Sequence, residues 1–252
     1  MPLMSEPIRW TYVFVDRPAE RFGRAGDFWT AVTGTKSSEP RGDDGEFVTL
    51  VPEAGDACVK AQAVRAGGGA HLDLAVENVP ALVAAARRLG ADLVSDHPGW
   101  AVLRSPGGVL FCAVPWHGES ARPQAVEGPG GTATRLDQVC LDLAPAVFDA
   151  EVAFWSELTG WESSPGSLPE FHVVRPPAGL PVRILLQRLG TDRPAAAHLD
   201  LACADIQAAR AWHERLGATH VADGTHWTVM SDPAGGTYCL TGRDPWTGGL
   251  PG

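Results

Sequence analysis

Two short stretches, "AHLDLAV" at 70–76 and "AHLDLAC" at 197–203, each place a histidine two residues before an aspartate. In an extended chain, residues two apart share a face. His71 and Asp73 therefore point one way, as do His198 and Asp200, while Leu72, Leu74, Leu199 and Leu201 line the other side. A carboxylate beside an imidazole raises its basicity and lets it move a proton. That chemistry makes His198 and Asp200 the catalytic candidates and His71 and Asp73 ligand-contacting ones. A histidine tied to a carboxylate only to hold the fold explains the same spacing. Cys112 and Cys239 sit among strand-like residues and read first as buried, inert thiols. A nucleophilic role would need a lowered pKa. Trp100 and Trp227 either fill a core or stack a planar ligand. His172, in "EFHVV", is a further ligand-contacting candidate, although it fits a surface or loop position, as do His213, His220 and His226. No Ser-His-Asp arrangement at an elbow, phosphate-cradling glycine loop or CxxC zinc pattern occurs.

The elements that would carry these residues follow from local patterning. "RLDQVCLDL" alternates as a strand does. Phe148, Val152, Trp155 and Leu158 form one helical stripe, and Gly160 can end that helix in the left-handed conformation. "EFHVV" and "VRILLQRL" read as strands. After "AHLDLAC", Asp205 can cap the helix "IQAARAWHERLG", which stops at Gly217, and "HWTVM" and "TYCLT" close the segment. Asn78 and Gly90 take the same roles in the first half. Trp29 and Trp155 fall on buried helix faces.

The matching halves are a tandem duplication. Phe28-Trp29 recurs as Phe154-Trp155, Thr33-Gly34 as Thr159-Gly160, Leu89-Gly90 as Leu216-Gly217, and Trp100, Pro106 and Cys112 as Trp227, Pro233 and Cys239. Such a steady offset settles the repeat before anything else is read. Each copy holds two strand–helix–strands units, so the fold class is α+β with four βαβββ modules. The sequence predicts domains at 1–118 and 134–245. Residues 119–133 form a Gly/Pro-rich linker unable to order itself, and 246–252 form a tail.

A helix ending "FWxxxTG", a second unit opening "AHLDLA" and a closing "DPAGGTYCL" together resemble the vicinal oxygen chelate superfamily, in its glyoxalase/bleomycin-resistance-like branch. The resemblance spans nearly the whole chain, once per half. It implies paired βαβββ modules that form a half-open, cup-shaped barrel in each domain. It also implies a metal set, carried onto Gln138, Gln187, His198 and Cys239 in the second domain and onto Tyr12, Gln62, His71 and Cys112 in the first. Gln138 thereby joins the ligand-contacting candidates as well. Both carboxylate positions of the family pattern are lost in each half. A hard ion such as Mg²⁺ or Mn²⁺ would lack its preferred oxygen ligands, whereas zinc with a thiolate remains chemically reasonable. The cofactor expectation is a divalent metal, zinc or similar, in the second domain, or none.

The resemblance implies an enzyme, a lyase or isomerase working through an enolate or related oxyanion, with or without a divalent metal. The alternative is a protein that sequesters a small molecule without turnover. The chain carries 30 acidic and 20 basic residues, for a net charge of −10. That balance disfavours a nucleic-acid partner. No apolar run is long enough for a membrane helix. Five cysteines without a CxxC pair, and no signal peptide, fit a cytoplasmic protein. The expected partner is a small-molecule ligand, and the chain acts as a monomer or homodimer.

Overall fold

The computed structural model describes residues 6–65 and 67–250. Each repeat lays its strands into one open mixed sheet. The first repeat contributes β1 (Ile8–Pro18), α1 (Phe22–Thr33), β2 (Thr35–Ser37), β3 (Phe47–Pro52), β4 (Val59–Val64), β5 (Gly69–Val76), α2 (Val79–Arg88), β6 (Asp92–His97), β7 (Trp100–Arg104) and β8 (Leu110–Pro115). After a short β9 (Val126–Glu127), the second repeat runs β10 (Ala133–Leu143), α3 (Phe148–Thr159), β11 (Glu162–Pro165), β12 (Phe171–Arg175), β13 (Arg183–Arg188), β14 (Ala196–Cys203), α4 (Ile206–Arg215), β15 (Thr219–Asp223), β16 (Trp227–Ser231) and β17 (Thr237–Thr241).

The strand orders are β2-β3-β4-β1-β5-β8-β7-β6 and β11-β12-β13-β10-β14-β17-β16-β15, with β9 pairing onto β10. One order is the other shifted by a repeat, as four βαβββ modules require. The α+β class and the duplicated module are therefore as the sequence predicts. β5 pairs with β8, and β14 with β17, in parallel. Strands at the middle of each order, such as β1 and β10, are buried almost throughout, whereas the edge strand β6 is largely exposed. This is the burial expected when both faces of a central strand are covered.

The caps also fall where the sequence places them. Asn78 and Asp205 accept from the backbone N–H groups of Ala81 and Ala208 at 3.1 and 3.0 Å, the N-cap geometry. Gly34 and Gly160 end α1 and α3 with φ of 61° and 65°, which only glycine takes without cost.

Compactness follows a different division from the repeat. One unit comprises His71–Ser120 and Val139–Ala197 with the start of β1; the other comprises Phe14–Ala70, Ala121–Gln138 and the chain from His198 onward. In the first unit, Phe154 and Trp155 of α3 meet Phe111 of β8, with ring centroids 5.9 and 5.0 Å away. Beneath them the carboxylate of Glu151 accepts from Ser105 Oγ (2.9 Å), the Gly107 N–H (2.6 Å) and Trp155 Nε1 (2.9 Å). In the second unit, Phe28 and Trp29 of α1 pack on Tyr238 of β17. Asp232 there accepts from Trp29 Nε1 (2.9 Å) and pairs with Arg17 at 2.7 Å. Each helix of a leading module thus seats on the closing strands of the other repeat.

Three sequence expectations need correction. The α3 stripe is rotated: Glu151 is fully buried and Val152 only partly so, because two donors on the turn before β8, Ser105 and Gly107, and Trp155 of α3 itself take up the carboxylate. The segment 119–133 is ordered, since backbone pairing substitutes for the apolar side chains it lacks. Asp56 N–H donates to Ala121 O (2.6 Å), Asp56 Oδ2 accepts from Ala121 N–H (2.8 Å), and β9 pairs with β10. His213 is fully buried, not at the surface, and its Nδ1 lies 2.9 Å from the Tyr238 hydroxyl. Trp29 and Trp155 are core residues, as the sequence suggests. Beyond residue 245 the chain is held by Arg122 and Arg135, both of which donate to the carbonyl of Trp246.

Candidate functional site

The repeated His-x-Asp strands set one buried polar group in each compact unit. In the unit that contains β14, His198 and Asp200 share a face, as alternation demands, and their side chains lie 3.3 Å apart between Nε2 and Oδ1. The other carboxylate oxygen, Oδ2, accepts from Gln138 Nε2 at 2.6 Å. Gln138, His198 and Asp200 are 3, 8 and 3 % exposed. Cys239 lies level with Asp200 across the parallel β14–β17 ladder. The amide at 138 and the imidazole at 198 therefore address one carboxylate, from two strands.

In the other unit the pattern recurs with different neighbours. His71 Nε2 lies 3.6 Å from Asp73 Oδ1, and Cys112 stands opposite Asp73 in the parallel register. The donor atoms of His71, Asp73 and Cys112 all fall within 4.8 Å of one another. Tyr12 occupies the position of Gln138 but turns its hydroxyl to the Glu119 carboxylate instead. Burial pushes the Glu119 carboxyl up. The Tyr12 hydroxyl and the backbone N–H groups of Glu119 and His117 outweigh it and hold the group below its ordinary range. Glu119 carries no sequence signal, because it lies in a segment without periodicity.

The remaining candidates are placed as follows. Of the glutamines in the implied second-domain metal set, Gln138 directs an N–H at Asp200, and the Gln187 oxygen accepts from the Cys140 thiol at 3.7 Å. Gln62 lies on β4 opposite Phe47. His172 is bonded to Ser163 Oγ at 2.8 Å within the β11–β12 pair, and burial lowers its pKa. Trp100 stacks on His97 at 4.0 Å in the β6–β7 hairpin. The Trp227 ring lies against Gly224, so closely that a Cβ there would come within 2.1 Å of it. Both tryptophans thus have partners within their own hairpins. His220 pairs with Asp223 at 3.1 Å.

Comparison with known proteins bears on the fold. A family model described as a glyoxalase-like domain matches the chain twice, over residues 12–114 and 138–241. No curated protein sequence matches it. Among solved structures, the Mn(II)-bound glyoxalase from Novosphingobium aromaticivorans superposes with a TM-score of 0.67 at 18 % identity, over 99 % of this chain and 89 % of that one. The 2,2',3-trihydroxybiphenyl 1,2-dioxygenase from Sphingomonas wittichii strain RW1 gives 0.62 at 14 % identity, over 94 and 90 %. A xylose isomerase-like TIM barrel/4-hydroxyphenylpyruvate dioxygenase fusion protein gives 0.61 at 14 % identity over 95 % of this chain, which spans about half (50 %) of that protein. At these identities the likeness concerns the fold.

Proposed function

Because the chain belongs to the glyoxalase-like domain family through both of its repeats, we propose that it is an enzyme acting on a small, oxygen-rich organic molecule at the β10–β14 face, of lyase or isomerase type. The observation that carries this reading is the buried run Gln138–Asp200–His198. Gln138 holds one oxygen of Asp200, and the second oxygen orients the imidazole. His198 then takes a proton from carbon next to a carbonyl and returns it elsewhere on the same molecule, through an enolate. Asp200 stabilises the imidazolium that forms in between, and burial excludes water that would screen the pair. A divalent ion, when bound, supplies Lewis-acid stabilisation to an oxyanion. The steps above belong to the side chains alone.

The trihydroxybiphenyl and 4-hydroxyphenylpyruvate dioxygenases among the structural neighbours suggest hydroxylated aromatics and aryl α-oxo acids as the first panel to assay. With a turned-over compound in hand, His198→Asn is expected to lower kcat by about 10²- to 10⁴-fold, the usual worth of a positioned acid–base group. Asp200→Asn should do so through loss of orientation, with KM little changed. Full activity in His198→Asn would refute the reading. Tight binding of a panel compound that is never turned over, unaffected by His198→Asn, would assign the protein to sequestration instead.

A further inference from the structure

Strand β7 carries a group that its counterpart in the second repeat lacks. Trp100, Val102 and Arg104 recur on β16 as Trp227, Val229 and Ser231, so the tryptophan and the valine are repeated while a cation stands in the place of a hydroxyl. We propose that the β6–β7–β8 face of the first repeat binds a small carboxylate bearing an aromatic ring on a short chain, with the ring on Trp100 and the carboxylate on Arg104. The proposal does not rest on proton transfer at His198, which belongs to the second repeat.

Register fixes which side chains share this face. Val102 stands opposite Cys112, and Arg104 opposite Leu110. Residues directly opposite point the same way, and Trp100 lies two positions before Val102, so all of these are on one side. The other side holds Leu72, Leu103 and Phe111, each at most 1 % exposed, and the rings of α3 reach Phe111 there. The Trp100 side is open by comparison: Trp100 and Val102 are half-buried, Arg104 is exposed and Leu110 is 44 % exposed. Apolar side chains left partly open around a few polar groups are what a small-molecule site is made of. Two further features define the ligand. Trp100 lies flat against His97, with the rings 4.0 Å apart and 7° from parallel, and His97 is tied to Ser95 at 3.1 Å. That stack fixes the indole as a platform for a second planar ring. Arg104 is exposed on the same strand, and among the described residues its guanidinium is paired with no carboxylate. The two residues are roughly 13 Å apart at the backbone, and, less the reach of their side chains, that span suits a ring and a carboxylate separated by about two or three carbons. In a chain of net charge −10, a cation on an apolar face selects for an anion over its neutral analogue. Asp92, opposite Arg104 on β6 and also exposed, works against that preference.

The test uses the full chain and three probes followed by ligand-observed NMR: 3-phenylpropanoate, its neutral amide 3-phenylpropanamide, and hexanoate, which has the charge without the ring. The first is expected to bind more tightly than either of the others. Arg104→Gln should weaken it by about 5- to 10-fold, between what an exposed ion pair and a buried charged hydrogen bond contribute, and leave the amide unchanged. Asp92→Asn should tighten it. Trp100→Leu should weaken both phenyl probes by about 3- to 10-fold and leave hexanoate unchanged. His198→Asn and Trp227→Leu should alter none of these affinities, so failure here and failure of the proton-transfer reading are told apart. Arg104 and Asp92 are exposed, so their variants keep the fold, and far-ultraviolet dichroism checks Trp100→Leu. The proposal is overturned if no probe binds, if the amide binds as well as the acid, if Arg104→Gln is without effect, or if the loss follows Trp227→Leu instead of Trp100→Leu. It is also overturned if Trp100→Leu changes only the sedimentation coefficient, which would make this face a contact between copies of the chain.

Discussion

His213 should make the folded protein sensitive to mild acid. Its imidazole is fully buried, with the rings of Trp212 and Phe28 centred 5.1 and 5.5 Å away and the Tyr238 hydroxyl 2.9 Å from Nδ1. Burial penalises the charged form and pushes the pKa from 6.5 down to about 4. In the unfolded chain the ring binds a proton near 6.5, so the folded state is the poorer proton acceptor. The stabilisation is therefore present above that value and is lost as pH falls toward the folded one. With about 1.36 kcal/mol for each pH interval between the two values, the full loss approaches ~3 kcal/mol, and roughly 2 kcal/mol of it has gone by about pH 5. Urea unfolding followed by tryptophan fluorescence measures this directly. His213→Asn keeps a polar atom near Nδ1 for Tyr238 but does not titrate. Between about pH 7.5 and pH 5 the parent should lose about 2 kcal/mol more than this variant, while the carboxylates common to both cancel. Equal losses would refute the reasoning.

Other expectations concern the buried polar anchors. Arg17→Met leaves Asp232 charged and buried and should cost about 3–5 kcal/mol. Adding Asp232→Asn should recover part of that, as a double-mutant cycle by urea unfolding will read. Glu151 has its pKa raised, by burial first, against the opposing bonds from Gly107, Ser105 and Trp155. Its folded form thus holds a proton more tightly than the unfolded one. The stability it contributes is complete below the ordinary carboxylate range and falls as pH rises through the raised value. Glu151→Gln should flatten that fall, and an unchanged slope counts against the assignment. Gln138→Leu removes the donor to Asp200 Oδ2 and should destabilise by about 1–3 kcal/mol. Gln138→Glu should be worse, because two carboxylates would then meet.

Much of this arrangement is legible in the residues themselves. The repeat, the caps at Asn78 and Asp205 and the strand alternation around His198 rest on local rules, and local rules survive folding. The common face of Gln138 and His198 follows from alternation once β10 and β14 are known to be neighbours. What escapes is non-local. Glu151 breaks an apolar stripe, and nothing near it in sequence announces Ser105 and Gly107, which take it up across the fold. His213 sits in a polar-looking helix, "AARAWHER", yet its face is closed by Phe28 and Tyr238, residues far away along the chain. Glu119 meets Tyr12 because the inter-repeat segment pairs its backbone to distant residues, and composition cannot show that. The Asp73 carboxylate was visible all along as half of His-x-Asp, but its place beside Cys112 depends on the parallel register.

The exchange of helices between repeats bears on how this gene can change. Arg17 and Trp29 are encoded in the first copy, and the aspartate they satisfy, Asp232, in the second. Glu151 is encoded in the second copy and its donors Ser105 and Gly107 in the first. Severed at the middle, either half would carry a hydrogen-bonding group whose mate has gone with the other fragment. The duplicated copies are therefore tied to inheritance as a single reading frame. A charge altered in one copy is answerable only by a compensating change in the other, 44 to 215 residues away along the chain.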